Sequence, residues 1–143
     1  MKNCIKLSLT ILWAYLLTSC AQTQQIQIKE TWARPGLAGG NSAVYFVIDN
    51  PTTQDDTLIS ASSDAALHVE IHLSTHDEHG TAMMKPQESV DIPANSTVEF
   101  APGGLHVMLI SLVDDLLLGD EVNLTLSFEK NGEINVEVVI ENR

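Results

Sequence analysis

The sequence predicts an all-β fold, and three observations support that prediction. From residue 26 onward, apolar and polar residues alternate with a period of two in one short run after another, which is the pattern of half-buried strands. Turn residues such as Gly39-Gly40, Asn50-Pro51 and Gly119-Asp120 separate the runs. No run shows the sustained apolar stripe of a helix. Eight or nine short strands in a chain of 143 residues predict an antiparallel Greek-key sandwich or barrel, of cupredoxin-like or immunoglobulin-like type.

The predicted strands follow one another along the chain in nine runs. In order they are residues 26–29, SAVYFVID, DTLISAS, ALHVEIHL, ESVDI, STVEF, LHVMLISL, EVNLTLSF and EINVEVVI. These runs are rich in the β-branched residues that pack well on a pleated surface. Asn131-Gly132 between the last two runs predicts a tight hairpin in which both turn residues have positive φ. Residues 112–118 are predicted to connect two strands.

The first 19 residues resemble a targeting segment. Lys2 and Lys6 give it a positive start, and the apolar stretch that follows is shorter than the roughly 20 residues of a membrane-spanning helix. The segment ends in Leu-Thr-Ser-Cys20, which resembles a bacterial lipobox, where the cysteine is lipidated and becomes the new N-terminus. The alternative is an ordinary signal peptide in which Cys20 falls at this position by chance.

This interpretation divides the chain into three parts. Residues 1–19 are predicted to be a lipoprotein signal peptide, residues 20–27 the lipidated N-terminus with its tether, and residues 28–143 one β-sandwich domain. Gln22 rather than Asp follows the lipidated cysteine closely. By resemblance to Gram-negative lipoproteins, this favours an anchor in the outer membrane, facing the periplasm.

Cysteine usage and charge exclude several classes of function. If Cys4 leaves with the predicted signal peptide and Cys20 carries lipid, no cysteine remains for the domain, which excludes a disulfide scaffold, a thiolate zinc site and a cysteine nucleophile. The formal net charge is −12, and such a surface repels nucleic acid and anionic lipid headgroups. No acidic pair or serine motif is clearly placed for catalysis, and the chain is predicted not to be an enzyme, with no catalytic residues.

His106 and Met108 are the strongest candidates for metal binding. They lie two residues apart on a predicted strand, so both side chains project from one face, roughly 7 Å apart. Alternation in this apolar run does not say which face is the core, and a methionine alone is more often core than ligand. Imidazole and thioether without thiolate suit monovalent copper better than other common ions.

Two further segments contribute candidate donors. In the run HVEIHL the apolar residues share one face, so His72 is predicted to point outward from the other, where it is either a ligand or an idle surface histidine. Met83 and Met84 are neighbours on the chain, so only one of them can face a shared site. His76 and His79, in the polar turn THDEHG, are auxiliary candidates for a second ion, Cu(II) or zinc, or part of a solvated turn.

These residues gain weight from a resemblance to a known family. The matching stretches are Trp32-Ala33-Arg34, VEIH at residues 69–72, Met84-Lys85-Pro86, ESVDIPANSTVEFAPGGLHVMLISL and GDEVNLTLSFEKNGEINVEVVI. In them, from about residue 31 to residue 140, the chain resembles the periplasmic copper chaperones of the PCuAC family. The signature of that family is a His, ten residues, a Met, twenty-one residues and then His-x-Met.

The chain departs from this signature by one residue. Ten residues after His72 the count reaches Met83, whereas twenty-one residues before His106 it reaches Met84. We place the extra residue in the turn THDEHG, because surface turns tolerate insertions. Met84 also precedes a basic residue and a proline, as the family's methionine does. The resemblance therefore implies the ligands His72, Met84, His106 and Met108, with Met83 as the alternative.

The resemblance also implies a function. Proteins of this kind bind Cu(I) outside the cytoplasm and deliver it toward the copper centres of respiratory cytochrome oxidases. The implied partners are the copper-site subunit of the oxidase and a Sco-type thioredoxin-like protein; the membrane is reached only through the lipid anchor. The alternative is a metal-free envelope lipoprotein that binds a protein or a glycan, although aromatic residues for sugar stacking are only 5% of the chain.

Overall fold

The computed structural model describes residues 24–143; the predicted signal peptide and Cys20 lie outside this range, and the predicted domain boundaries stay predictions. The described chain is all-β, which confirms the predicted fold class. Its ten strands are β1 Gln27–Ala33, β2 Asn41–Asn50, β3 Asp56–Ser62, β4 Ala66–His76, β5 Ala82–Pro86, β6 Val90–Ile92, β7 Ser96–Phe100, β8 Leu105–Leu112, β9 Glu121–Phe128 and β10 Gly132–Ile140. In residues 24–143 no helix has the length and hydropathy needed to cross a membrane.

All ten strands join one sheet, in the order β5-β4-β8-β7-β2-β1-β10-β9-β3-β6. Most neighbours are antiparallel, as predicted, but β1–β10 and β7–β8 are parallel. The second parallel pair arises because β7 and β8 share β2 as a partner. β7 pairs with the second half of β2 and β8 with its first half. Between them the chain makes a short excursion at residues 101–104, which borders the site described below.

Burial shows which face of β8 is the core, a point that alternation alone does not decide. Val107 and Leu109 are fully buried in the main hydrophobic core, so His106 and Met108 project from the opposite face. Within the same core, Phe46 and Phe100 stack with ring centroids 4.4 Å apart. The hydrophobic drive to bury this one face therefore fixes where the candidate donors point.

β5 is an additional strand beyond the predicted eight or nine. It contains a proline and no β-branched residue, so it has neither the composition nor the alternation of a typical strand. It forms because the turn after β4 returns the chain antiparallel to that strand. Pro86 is tolerated because β5 lies at the edge of the sheet, where a missing N–H breaks no inner ladder.

The β9–β10 hairpin is confirmed, but its turn differs from the prediction. Gly132 has φ of 72° and pairs with Phe128, so the loop has three residues, and Asn131 is not among the residues with positive φ. The buried carboxylate of Asp56 supports this loop. It accepts hydrogen bonds from the backbone N–H of Lys130 and of Asn131 and from the Asn131 side chain. Burial raises the pKa of Asp56, but these hydrogen bonds outweigh burial and leave the pKa below its usual value.

Candidate metal centre

Two strands bring the predicted histidines and Met108 together. β4 and β8 are antiparallel neighbours in which His72 stands directly opposite His106, and Glu70 opposite Met108. Directly opposed residues project from the same face of a sheet. The rings of His72 and His106 meet edge to face, with centroids 5.8 Å apart. Residues 34 positions apart in the sequence therefore become immediate neighbours.

The prediction that His72 points outward to solvent is wrong. Its face is the predicted one, away from Ile71 and the main core, but the residue is only 8% exposed. The reason is that β4 is an inner strand at this point. His72 lies between Pro86 of β5 and His106 of β8, and these neighbours shield it from both sides. Alternation predicts the face of a side chain but not what covers that face.

The register of β5 separates the two neighbouring methionines. Met84 pairs with Ser74 and Met83 with Thr75. Ser74 follows His72 by two residues, so Met84 projects from the same face as His72. Met83 projects from the other face. Met84 is also 57% exposed, so its thioether lies at the open side of the site.

The hydrogen bonds of the two histidines assign a lone pair to each ring. Nε2 of His72 lies 2.8 Å from Oε2 of Glu70, and because a carboxylate only accepts, Nε2 carries the proton. In the neutral ring, Nδ1 of His72 is then the unprotonated nitrogen, and it is buried without a hydrogen-bond partner. Nδ1 of His106 lies 3.1 Å from the carbonyl oxygen of Gly104, so that nitrogen is the donor and Nε2 holds the lone pair.

A pocket of about 310 Å³ opens beside these donors. Its lining includes Met84, His106 and Met108, together with Arg34 and Tyr45. Further lining residues come from the start of β2 and from the excursion between β7 and β8: Asn41, Ser42, Ala43, Pro102 and Gly103. Three of the four predicted ligands thus share one concave surface, and the ring of the fourth, His72, lies beside that of His106.

An aromatic wall bounds the pocket on the side of β1 and β2. The rings of Tyr45 and Trp32 lie 4.6 Å apart, and Tyr45 lies 6.3 Å from the ring of His106. The guanidinium of Arg34 lies over Tyr45 at 5.7 Å, within the range of a cation–π contact. Tyr45 and Trp32 are buried although they belong to the outer face, so the wall is packed and holds one side of the site in place.

His76 is the last residue of β4, and His79 lies in the loop that leads to β5. His76 and His79 are exposed, and Oδ1 of Asp77 accepts hydrogen bonds from the backbone N–H of His79 and of Thr81. The Thr81 hydrogen bond is the main reason that the pKa of Asp77 lies below its usual value. Within residues 24–143, no group of three or more His, Cys, Asp or Glu side chains is arranged to hold an ion. The prediction of a second ion in the loop has no such cluster to support it.

Three contacts of the site were not predicted from the sequence. Glu70, the carbonyl of Gly104 and the ring of Tyr45 all contact or adjoin a histidine. Glu70 could have been found, because it shares a face with His72 two residues away. Tyr45 and Gly104 could not, because their contacts depend on the pairing of β2 with β8 and on the excursion before β8.

The chain matches a family over nearly all of the described range. Residues 26–140 match the family described as "Putative lipoprotein LpqE-like". The protein "Uncharacterized protein RP573" of Rickettsia prowazekii (strain Madrid E) is 33% identical over 123 residues, which span 82% of this chain and 68% of the relative. "Putative lipoprotein Lxx21020" of Leifsonia xyli subsp. xyli is 27% identical over 119 residues, 83% of this chain and 71% of the relative.

Solved structures with the same fold are PCuAC domains. The copper-bound PCuAC domain from PmoF2 superposes with a TM-score of 0.68 at 28% identity, covering 82% of this chain and 93% of that domain. The Cu(I) form of DR1885 from Deinococcus radiodurans gives 0.61 at 26% identity, covering 85% and 83%. The resemblance to PCuAC domains is thereby confirmed, whereas the ligand spacing stays a prediction. The chain belongs to the LpqE-like lipoprotein family, on the fold of the PCuAC domains.

Proposed function

We propose that this protein is an extracytoplasmic Cu(I) metallochaperone, a carrier rather than an enzyme. The observation that supports this most directly is that His72, Met84, His106 and Met108 share one face of the sheet. The hydrogen bonds of the two histidines leave one nitrogen of each neutral ring available as a donor to the ion. Two imidazoles and two thioethers form a soft, neutral donor set that suits d¹⁰ Cu(I). Zinc gains little from thioethers and prefers thiolate, imidazole or carboxylate.

The similar solved structures support the same cargo. One is described as a copper-bound PCuAC domain and another as a Cu(I) form. We extend that cargo to the present chain because its two imidazoles and two thioethers suit Cu(I). Cu(I) is here a substrate that arrives and leaves, so the site needs access as well as affinity.

The geometry is suited to transfer by ligand exchange. Met84 is largely exposed and borders the pocket, so an incoming donor can reach the ion from the same side. A cage of buried thiolates would instead hold copper for storage. We propose that the cargo moves toward the copper centres of a respiratory cytochrome oxidase, with the oxidase copper-site subunit and a Sco-type protein as partners, as the family resemblance implies.

The proposed location follows from the N-terminal segment and the family. The matched family and one relative are described as lipoproteins, and Cys20 stands at the end of a lipobox-like segment. We propose that lipid on Cys20 anchors the domain in the outer membrane, facing the periplasm. Residues 20–27 then tether a sheet whose first strand begins at Gln27.

A titration tests the cargo directly. The lipid-free chain, residues 22–143, is titrated with Cu(I) against a competing chelator, and X-ray absorption is recorded on the loaded protein. We expect one ion per chain and scattering from both nitrogen and sulfur. Failure to bind one ion specifically would overturn the proposal and leave the metal-free binding module as the better description.

A further inference from the structure

The buried Nδ1 of His72 is an unusual feature of this molecule. Buried polar atoms almost always have a hydrogen-bond partner, because an unpaired polar atom loses its hydration with nothing to replace it. Among the described residues, only Nδ1 of His72 and Oγ1 of Thr75 are buried side-chain polar atoms without one. The Nδ1 atom belongs to a ring that touches His106. An unpaired nitrogen at this position indicates that a ligand binds there.

Glu70 is the residue that leaves Nδ1 in this state. Its carboxylate accepts a hydrogen bond from Nε2–H of His72, with 2.8 Å between the two heavy atoms. The Glu70 side chain is 46% exposed, whereas that of His72 is only 11% exposed. A neutral imidazole whose Nε2 carries the proton presents its lone pair at Nδ1. For His106 the carbonyl of Gly104 has the opposite effect, since it binds Nδ1–H and leaves the lone pair on Nε2.

We propose that Glu70 is a positioning residue for copper: it holds His72 so that this residue binds the ion through Nδ1, while His106 binds through Nε2. The proposal rests on the proposed function and adds the donor atom on each ring. A hydrogen-bonded carboxylate also makes the imidazole a stronger donor, and such partners of ligating histidines are worth roughly 10- to 100-fold in metal affinity. Glu70 thus fixes the orientation of His72 and strengthens it as a ligand.

The first experiment identifies the protonated nitrogens. Long-range ¹H–¹⁵N spectra are recorded on residues 22–143, which contain all ten strands, before and after loading with diamagnetic Cu(I). We expect His72 to keep its proton on Nε2 in both states and His106 to keep its proton on Nδ1. A loaded protein in which His72 carries its proton on Nδ1 would overturn this proposal while leaving the copper carrier intact. Failure to bind Cu(I) at all would instead overturn the proposed function.

The second experiment compares two substitutions of Glu70. Glu70→Gln retains an oxygen that accepts the Nε2–H bond, whereas Glu70→Ala removes the acceptor. We expect Cu(I) affinity to fall by about 10-fold or more in Glu70→Ala and by less in Glu70→Gln. We also expect the slowly exchanging Nε2–H signal of His72 to persist in Glu70→Gln and to be lost in Glu70→Ala.

A control variant separates position from charge. Glu133→Ala removes one exposed carboxylate on β10, outside the site. If Glu70→Ala weakens Cu(I) binding no more than Glu133→Ala does, Glu70 acts only through the net charge of the domain and the positioning role is wrong. If Glu70→Gln and Glu70→Ala lose affinity equally, the hydrogen bond is not what matters.

Discussion

His72 and His106 stand directly opposite each other on β4 and β8, with ring centroids 5.8 Å apart. Their alignment depends on strand register, because slipping one strand by a single residue would send the two rings to opposite faces of the sheet. The buried residues that alternate with them, Ile71 and Val107, resist such a slip. On β4 and β8 the core residues and the candidate donors therefore alternate, with the core on one face and the candidate metal centre on the other.

Met84 and Met83 provide a matched pair of substitutions. Met84 shares the face of His72 and Met83 does not, so only Met84→Leu removes a donor from the site. We expect Met84→Leu to lower Cu(I) affinity by more than about tenfold. Removing a residue that only hydrogen-bonds a metal ligand already costs roughly 10- to 100-fold, and Met84 is itself a proposed ligand. Chelator competition on both variants measures the difference. Greater damage from Met83→Leu would show that the extra residue between His72 and His106 lies elsewhere than the turn.

Val107→Ala tests which face of β8 is the core. Val107 is fully buried between the two candidate donors of that strand, so truncation leaves a cavity and should lower the free energy of unfolding by about 2 kcal/mol. The Cu(I) affinity should change little, because the side chain points away from the site. Urea unfolding and chelator competition measure the two effects. Affinity lost with stability unchanged would contradict the face assignment.

Asp56 gives the fold a defined response to acid. Its folded pKa lies below the usual value, so its contribution is complete above the unfolded pKa and is lost as the pH falls through the folded one. We expect Asp56→Asn to destabilise the protein by about 1–3 kcal/mol near neutral pH, since a buried hydrogen-bonded carboxylate is lost. The difference from the unsubstituted protein should narrow below about pH 4.

The pH dependence of unfolding in urea checks this expectation. Asp64→Asn is the control, because Asp64 is exposed and its replacement removes the same charge. An Asp56→Asn variant whose stability deficit stays constant from neutral to acidic pH would show that the deficit comes from packing and not from the ionised carboxylate.

Cys20→Ala tests the proposed anchor. Without the thiol there is no site for lipid, so we expect the protein to move from the membrane fraction to the soluble fraction when expressed in a Gram-negative cell. Fractionation followed by immunoblotting measures this, with separation of inner and outer membranes for the unsubstituted protein. Unsubstituted protein found mainly in the inner membrane would contradict the placement predicted from Gln22.

Much of the fold could be predicted from the sequence, because alternation in runs such as EVNLTLSF is a direct consequence of burying one face of a strand. β5 could not be predicted, since its formation depends on pairing with β4 and not on its own composition. The parallel β7–β8 pair was missed for a similar reason. Both strands use different halves of β2, and such sharing has no local signal.

The candidate site shows the same division between local and non-local information. That His106 and Met108 share a face follows from their spacing alone. The burial of His72 does not, because it depends on Pro86 and His106, which reach it from other strands. The family resemblance implies which four residues are the ligands, and the register of the sheet explains how they come to share one face.

β5 lies at the edge of the sheet, where it pairs with β4, and every one of its residues is exposed. Such an element opens locally at a much lower free energy than the core strands. The other three proposed donors lie on β4 and β8, inner strands of the sheet. We therefore expect affinity and lability to be controlled separately. All four donors set how tightly the ion is held at equilibrium, whereas fraying of β5 sets how often the ion is reduced to three ligands and becomes free to exchange.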